Sequence, residues 1–359
     1  MTEKVDGIRW KIEELDNQIL DLVKKRMEAA LAMGKTKVEK ALPVRDMRVE
    51  DQVVARYCQR ASEVGISEDA AAEIAQILIR ESVEAQARLP RPMGAERKVL
   101  VIGGAGRMGL WFARYMAMRG HQVQVYDIKP TKEFPMVKDL ASAIRKAEVV
   151  IVAVPISEAD KVMRQVIASQ PTGLVFDIMS VKGPVVPALR EGVEEGVMVC
   201  SVHPMFGPDA LSMYSRNIIV CDCGSHRAVA EFKNLVDGMG AKVTEMMVED
   251  HDQLISLVLG LSHAVNISFF SALKESGVDF NTLEAISSTT FKRQVAISRR
   301  VSLESPHLYY EIQHENAHTA RCLEMFEQVV NQLRLAATAD DDAAFVKLME
   351  EGKRYFGED

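Results

Sequence analysis

Residues 99–109 read VLVIGGAGRMG, so that a short apolar run leads directly into glycines with the spacing G-x-G-x-x-G at Gly104, Gly106 and Gly109. The apolar run predicts a buried strand, and the residues after it predict a helix. Between a strand and a helix, such glycines have separate tasks: a tight turn, close approach of the backbone to a pyrophosphate, and close packing of helix on strand. The segment therefore predicts a Rossmann dinucleotide-binding domain.

The cofactor expected in this domain is NAD. Asp127 closes the next predicted strand about twenty residues further on, where a carboxylate accepts hydrogen bonds from ribose hydroxyls. The start of the helix offers free amides and the positive end of its dipole to the pyrophosphate. Arg107 and Lys129 are cations near the same edge, which keeps NADP as the alternative. The predicted cofactor-binding residues are Gly104, Gly106, Arg107, Met108, Gly109 and Asp127.

The composition is that of a globular protein. The chain has 359 residues, 48% hydrophobic and 26% charged, which is enough for two or three domains. A net charge of -7 provides no basic field for nucleic acid or anionic lipid. We find no apolar region behind basic residues at the N-terminus and expect no apolar run long enough to span a bilayer, so the expected location is the cytoplasm, without membrane or nucleic-acid partners. Five scattered cysteines lack the paired spacing of a zinc site, so reduced thiols and no metal are expected.

The hydrophobic pattern divides the chain into a helical part, an α/β part and a second helical part. Residues 1–90 are predicted as an all-α domain of three helices, ending at a proline-rich linker over 91–97. Short apolar runs then alternate with amphipathic stretches over 98–247, which predicts a parallel sheet with helices on its faces. Residues 248–359 return to helical periodicity and are predicted as an all-α domain. The predicted strands are Lys98–Ile102, Gln122–Tyr126, Val149–Val154, Leu174–Ile178, Met198–Val202, Asn217–Cys221 and Lys242–Thr244.

A histidine after one predicted strand is a candidate catalytic base. Ligands of open parallel sheets bind beyond the carboxyl ends of the strands. His203 follows such a strand and is placed between Val202 and Pro204 in a predicted turn, where it could take a proton from a hydroxyl. Ser180 follows another predicted strand and could orient this histidine.

The first helix carries cations on an otherwise apolar seam. Ile8, Ile12, Leu15, Ile19 and Leu22 recur at helical spacing, and Arg26 and Lys37 continue on that side. Cations on a buried stripe need an anion. Arg9 lies about 100° round the helix from Arg26, so it cannot easily serve the same site in the same chain and points to a neighbouring copy. Two further pairs lie four residues apart, and each shares one helix face: Asp46 with Glu50, and Ser82 with Gln86.

Three segments of the second half resemble the active-site signature of prephenate dehydrogenases: residues 201–208 (SVHPMFGP), 177–182 (DIMSVK) and 249–253 (EDHDQ). The resemblance covers nearly all of residues 97–359. It implies that prephenate is a substrate and that NAD accepts the hydride from its C4. It also implies that the ring carboxylate is lost to give 4-hydroxyphenylpyruvate.

The same resemblance gives roles to individual residues. His203 would take the proton of the C4 hydroxyl, with Ser180 beside it. Arg300, in the helical segment 291–300, would bind a prephenate carboxylate, for which the planar guanidinium is suited. His263 would line the substrate pocket.

Residues 3–89 resemble the all-helical chorismate mutase domain, which in its family is an interlocked homodimer with sites built from both chains. The domain order resembles bifunctional chorismate mutase/prephenate dehydrogenases of the T-protein type. The rearrangement of chorismate to prephenate needs no nucleophile or proton transfer, so the site has to fold the substrate and stabilise charge on the ether oxygen. The resemblance assigns Lys37 and Gln86 to the ether oxygen and Glu50 to the ring hydroxyl. Arg26, the partner's Arg9 and Ser82 are assigned to carboxylates, and Asp46 is a further substrate-binding candidate.

Three alternatives follow from the same residues. An arogenate or cyclohexadienyl dehydrogenase would use the same His203 and Arg300. The helical N-terminal domain could be a non-catalytic dimerisation or tyrosine-sensing module, since Val49 stands where the mutase family often has an arginine. A protein that only senses NAD is the third.

Overall fold

The computed structural model of the protein describes residues 2–40, 42–90 and 95–357, and for residues 2–4 the backbone alone. Most of the predicted linker, residues 91–94, lies outside the described residues. The chain forms two compact units. The first comprises Met1–Val154, Lys161–Ile178 and Ala188–Met246, and the second comprises Pro155–Asp160, Met179–Pro187 and Met247–Asp359.

The first unit begins with the three predicted helices: α1 (Thr2–Glu39), α2 (Met47–Val64) and α3 (Glu68–Ala87). Asp46 caps α2 by accepting from the amides of Arg48 and Val49, and Ser67 caps α3 by accepting from the amide of Ala70. Helix α3 contacts both α1 and α2. The prediction of three helices is confirmed.

A seven-stranded sheet follows in the order β2-β1-β3-β4-β5-β6-β7. Its strands are β1 (Lys98–Ile102), β2 (Gln122–Tyr126), β3 (Val149–Val152), β4 (Leu174–Asp177), β5 (Val199–Pro204), β6 (Asn217–Asp222) and β7 (Lys242–Met247). The helices around it are α4 (Arg107–Met118), α5 (Leu140–Lys146), α6 (Ala159–Ala168), α7 (Val186–Glu194) and α8 (His226–Val236). All seven strands were predicted, and the α/β class is confirmed.

The prediction of a parallel sheet is wrong at one pair of strands. Strands β1 to β5 pair in parallel, but β6 pairs with β5 in the antiparallel direction, with His203 opposite Ile219. A parallel return needs a crossover of a dozen or more residues, usually a helix. Residues 205–216 form no helix between β5 and β6, so the chain folds straight back.

The core of the sheet is formed by β-branched strand residues and aromatic side chains from the helices. Phe176 of β4 meets Phe112 of α4 and Phe232 of α8 in edge-to-face contacts, with ring centroids 6.3 Å and 5.2 Å apart. These three side chains are fully buried. Burial of this kind fixes α4, and with it the glycine loop before it, against the sheet.

The second unit is mainly helical, as predicted, with α9 (Val248–Ile255), a π-helical segment (Ser256–Leu261) and α10 (Ser262–Glu275) in one run. Five further helices follow: α11 (Phe280–Ala285), α12 (Thr289–Ser302), α13 (Pro306–His314), α14 (Thr319–Ala337) and α15 (Ala343–Tyr355). The expectation that no apolar run is long enough to span a bilayer is wrong for Val248–Glu275, which is long and apolar enough by composition. Yet this run buries polar side chains, and Asn266 hydrogen-bonds to Ser298 and Gln294 of α12, as in a domain core.

Candidate active sites

The glycine loop after β1 has the backbone geometry that a dinucleotide cradle requires. Gly103 has a φ of +82°, and a Cβ on it would lie 2.3 Å from the carbonyl oxygen of Ala153. A Cβ on Gly104 would lie 2.6 Å from Val125, and one on Gly109 would lie 2.1 Å from the Gly103 carbonyl oxygen. These positions therefore exclude side chains. Gly103 was not among the predicted residues, although it is the loop's one described position with a left-handed backbone.

Asp127 holds the glycine loop from the end of β2. Its Oδ2 accepts from the amide of Ala105 at 2.9 Å, and its Oδ1 accepts from the amide of Lys129 at 2.8 Å. A carboxylate offers about four acceptor positions, so the group can still accept from ribose hydroxyls. Arg107 pairs with Asp209 at 3.1 Å on the surface.

The residues present fit a bound dinucleotide. Helix α4 begins at Arg107 behind Gly106, whose lack of a side chain leaves the first amides of the helix accessible to an anion. Met108 packs on the sheet core beneath this turn. The side-chain-free loop, the helix start and Asp127 together provide for a pyrophosphate and a ribose.

His203 lies within β5 and not, as predicted, in the turn after it. The strand extends to Pro204 because it pairs with β6 over Ser201 to Pro204. The side chain of His203 is only 3% exposed. Ser180 belongs to the segment Met179–Pro187 of the second unit and is half-buried.

In the second unit, the segment that carries Ser180 is anchored by Asp252. The Asp252 carboxylate accepts from the amides of Lys182 and Gly183 at 2.8 Å and 2.7 Å, and His251 Nδ1 lies 2.7 Å from it. Burial alone would raise the pKa of Asp252, but these hydrogen bonds hold it below its ordinary value. Asp252 was not among the predicted site residues, although it lies in residues 249–253, one of the three segments that carry the resemblance.

His263 and Arg300 are neighbours of one tyrosine in the second unit. His263, near the start of α10, stacks on Tyr309 with ring centroids 4.2 Å apart. Burial lowers the pKa of His263, and its Nδ1 has no hydrogen-bond partner among the described residues. Burial and Glu304 raise the pKa of Tyr309, and the charge of the exposed Arg300 opposes that rise. Tyr309 had no signal in the sequence, because its relation to His263 depends on how α10 and α13 pack.

In the first unit, four of the predicted mutase residues lie on two helices, Arg26 and Lys37 on α1 and Ser82 and Gln86 on α3. Arg26 donates to Ser82 Oγ at 2.5 Å and to the carbonyl of Leu78 at 2.7 Å. Lys37 Nζ donates to the carbonyl of Val44 at 2.6 Å. Both cations thus donate hydrogen bonds to neighbouring groups of the same chain, and their role in binding an anion stays a prediction.

Gln86 completes this group from α3. It is buried, and its Oε1 has no hydrogen-bond partner in the part of the chain that the structure describes. A Cβ on Gly34 would lie 2.7 Å from Gln86 Cγ, so the absence of a side chain on α1 makes room for this glutamine. A buried amide oxygen without a protein partner is free to accept a hydrogen bond from a polar ligand.

The other three predicted mutase residues have partners of their own within the chain. Glu50 is held by Arg45, whose Nε is 3.0 Å from both carboxylate oxygens. Asp46 is occupied as the cap of α2. Arg9 is 76% exposed, pairs with Asp6, and lies about 25 Å along α1 from Arg26, so one chain does not bring these two arginines together.

Among the residues that the structure describes, one group of three side chains could ligate a metal ion: Asp222, His226 and Glu245. Each has a role within the fold. Asp222 accepts from the amides of Gly224 and Ser225 and lies 2.5 Å from His226, and Glu245 pairs with Lys233 at 3.0 Å. These contacts at the start of α8 and on the surface account for all three side chains without a metal ion.

Three family models match successive parts of the chain. Residues 8–87 match "Chorismate mutase type II", residues 112–245 match "Prephenate dehydrogenase, nucleotide-binding domain", and residues 247–351 match "Prephenate dehydrogenase, dimerization domain". The second match begins after the glycine loop.

Individual relatives and a solved structure agree with these three matches. A T-protein of Enterobacter agglomerans is 25% identical over all of this chain and 94% of its own length. A probable arogenate/prephenate dehydrogenase of Methanocaldococcus jannaschii is 32% identical over 72% of this chain, which spans only 61% of that relative. The crystal structure of prephenate dehydrogenase from A. aeolicus in complex with hydroxyphenyl propionate and NAD+ covers 74% of this chain and 99% of its own, with a TM-score of 0.61 and 21% identity. The last likeness concerns the fold.

Proposed function

This chain belongs to the family of bifunctional chorismate mutase/prephenate dehydrogenases, and from that premise we propose a role for each of its candidate site residues. The protein is an enzyme of tyrosine biosynthesis with an isomerase and an oxidoreductase activity. The observation that carries the assignment is the succession of a mutase match and two dehydrogenase matches, in the order of the full-length T-protein relative.

The mutase site acts by binding and by electrostatics. Arg26, steadied by Ser82, binds one carboxylate of chorismate, and Arg9 of the partner subunit binds the other. Lys37 and the Gln86 amide stabilise the negative charge that develops on the ether oxygen. Glu50 accepts a hydrogen bond from the ring hydroxyl. Asp46 contributes through the start of α2, which it caps. No proton has to move in this step.

The dehydrogenase residues bind the substrate, orient the catalytic histidine and accept a proton. His203 removes the proton of the C4 hydroxyl of prephenate, and Ser180 orients that histidine. Arg300 binds a carboxylate of the substrate with its planar guanidinium. His263 stays neutral because burial lowers its pKa, so it can donate one hydrogen bond to the substrate without placing a charge there.

The cofactor is NAD, which supplies the hydride acceptor for C4 when bound. Gly104, Gly106 and Gly109 admit its pyrophosphate, the helix start at Arg107 and Met108 faces the phosphates, and Asp127 accepts from the ribose. Asp127 favours NAD because a carboxylate repels the extra phosphate of NADP.

The active form is a homodimer in the cytoplasm. The apolar seam of α1, formed by Ile8, Ile12, Leu15, Ile19 and Leu22, is between 48% and 64% exposed in the single chain. A long apolar stripe of this kind needs a covering surface. A second copy supplies one and brings Arg9 to the mutase site.

One experiment tests both activities. The purified protein receives chorismate and NAD without prephenate, and NADH and 4-hydroxyphenylpyruvate are followed. Both products are expected. If they form only after prephenate is added, the mutase assignment is wrong. If prephenate is also inert while arogenate is turned over, or if only NADP supports the reaction, the substrate or cofactor assignment is wrong.

Two variants assign the sites separately. We expect His203→Asn to abolish dehydrogenation and leave the mutase rate intact, and Lys37→Ala to do the reverse. Loss of both activities in a folded His203→Asn protein would contradict the separation of the sites.

A further inference from the structure

The loop between β5 and β6, residues 205–216, contacts the mutase helices as well as its own domain. Ser212 Oγ donates to Glu84 of α3 at 2.7 Å, and Arg216 lies 3.9 Å from the same carboxylate. Ser212 is 3% exposed and Glu84 is 7% exposed. A buried carboxylate requires such partners, so this contact belongs to the fold and not to a chance surface.

Tyr214 of the same loop is inserted among mutase residues. It is buried in a cluster with Val44, Val83 and Ala87, against which Ile79 also packs. A glycine at position 240 makes room for the ring, since a Cβ there would lie 2.7 Å from Tyr214 Cδ2.

The backbone next to Tyr214 is strained, which shows how firmly the loop is held. Ser215 has a φ of +57°, which non-glycine residues rarely adopt. Its amide donates to the carbonyl of Gly240 at 2.9 Å, and the Arg216 amide donates to the carbonyl of Met213 at 3.0 Å. Such strain persists only where the surrounding structure determines it.

From this position Tyr214 reaches the mutase residue Glu50 through Arg45. The Arg45 guanidinium lies over the Tyr214 ring, 5.7 Å from its centroid, and binds both Glu50 carboxylate oxygens. Burial raises the pKa of Tyr214 to about 12, and the charge of Glu50 and a hydrogen bond to it act in the same direction. Arg45, Glu50 and Tyr214 also line one cavity with Arg80 and Glu84.

We propose that Tyr214, a residue of the nucleotide-binding domain, is a positioning residue of the mutase site, where it fixes Arg45 and with it the Glu50 carboxylate. Arg45 occupies only part of the acceptor capacity of that carboxylate, which leaves a lone pair for the ring hydroxyl of the substrate. The dehydrogenase half of the chain thus completes the mutase half. The inference rests on the proposed role of Glu50.

The test is a double-mutant cycle on the full-length dimer, with mutase kcat and KM, dehydrogenase rate and Tm as readouts. Tyr214→Leu removes the ring face and the hydroxyl and is expected to lower mutase kcat/KM by roughly tenfold. Tyr214→Phe keeps the ring and is expected to lose about threefold. In a Glu50→Gln background neither change should lower the mutase further, because the residues act through one another. Dehydrogenase rates should stay unchanged.

Ser212→Ala is the matched control, since it removes a contact of the same loop that does not involve Glu50. If Ser212→Ala lowers mutase kcat/KM as much as Tyr214→Leu, or if the Tyr214 effect persists in the Glu50→Gln background, the positioning role is overturned. Should Tyr214→Leu fail to fold, Tyr214→Phe decides alone by the same cycle. A wild-type protein without mutase activity, or a Glu50→Gln protein with full activity, would instead overturn the proposed function.

Discussion

At the scale of single residues, the glycine loop makes the sharpest prediction. A methyl group at position 109 would collide with the Gly103 carbonyl, which is backbone and cannot move aside. We expect Gly109→Ala to lose NAD binding and to lower Tm, because helix α4 would be pushed away from β1. Titration of NAD by fluorescence and thermal unfolding would measure the two effects.

The matched control is Gly352→Ala in α15, where a Cβ would meet nothing within 4 Å. This helical position should gain stability by a few tenths of a kcal/mol, up to about 1 kcal/mol, since alanine is the better helix former. Unchanged NAD affinity in Gly109→Ala would show that the loop does not approach the cofactor.

The buried His263 predicts a dependence of stability on pH. An unfolded histidine takes up a proton at about pH 6.5, whereas burial keeps His263 neutral to lower pH. The unfolded state therefore binds more protons below about pH 6.5, and the stability present above that pH is lost as the pH falls towards the lower pKa of the fold. Urea unfolding of the wild type and of His263→Gln between pH 5 and 8 would measure this.

We expect the unfolding free energy of the wild type to fall relative to that of His263→Gln as the pH falls, because only the wild type has this buried histidine. His121 also has a lowered pKa, chiefly through burial and then through Arg97 and Arg119, so the wild-type curve contains both histidines. Parallel curves for wild type and variant would contradict the assignment to His263.

Residues with a chemical signature could be predicted from the sequence, and residues defined by packing could not. The glycine spacing and the cations on an apolar seam are local patterns, so Gly104, Arg26 and Lys37 could be named as candidates from the sequence. Arg45 and Tyr214 are far apart in sequence and are related only by the docking of a loop on two helices. No periodicity carries that information.

At the scale of elements, the contribution of the N-terminal caps of the mutase helices to stability can be tested. Ser67 Oγ accepts from the Ala70 amide at 3.2 Å and begins α3, the helix that carries Ser82 and Gln86. We expect Ser67→Ala to cost about 1 kcal/mol of unfolding free energy. Ser67→Asp keeps a capping oxygen and should restore the loss, whereas equal destabilisation by both variants would show that capping is not the cause.

Elements were predicted best where one hydrophobic period was sustained. The strands β1 and β2 were predicted with the bounds that the structure has. The direction of β6 was missed because its residues are compatible with either direction of pairing, and the sequence did not show that residues 205–216 form no crossover helix. Because β6 returns directly along β5 and pairs with it as far as Pro204, His203 lies in the strand and not in a turn.

At the scale of the whole molecule, the separation of Arg9 from Arg26 predicts complementation between copies. Homodimers of Arg9→Ala or of Arg26→Ala should lack mutase activity. Because a mixed dimer would combine the intact Arg26 of one chain with the intact Arg9 of the other, co-expression should restore about a quarter of wild-type activity. Steady-state assays of the co-purified proteins would measure it, and no recovery would exclude shared sites.

The buried contact between Glu84 and Ser212 has a consequence for the ancestry of the chain. A different dehydrogenase that covered Glu84 without offering the Ser212 hydroxyl would leave this carboxylate buried without its hydrogen-bond donor. A substitution in residues 205–216 of the dehydrogenase half therefore also affects the mutase half. Selection on either activity acts on both halves of the chain.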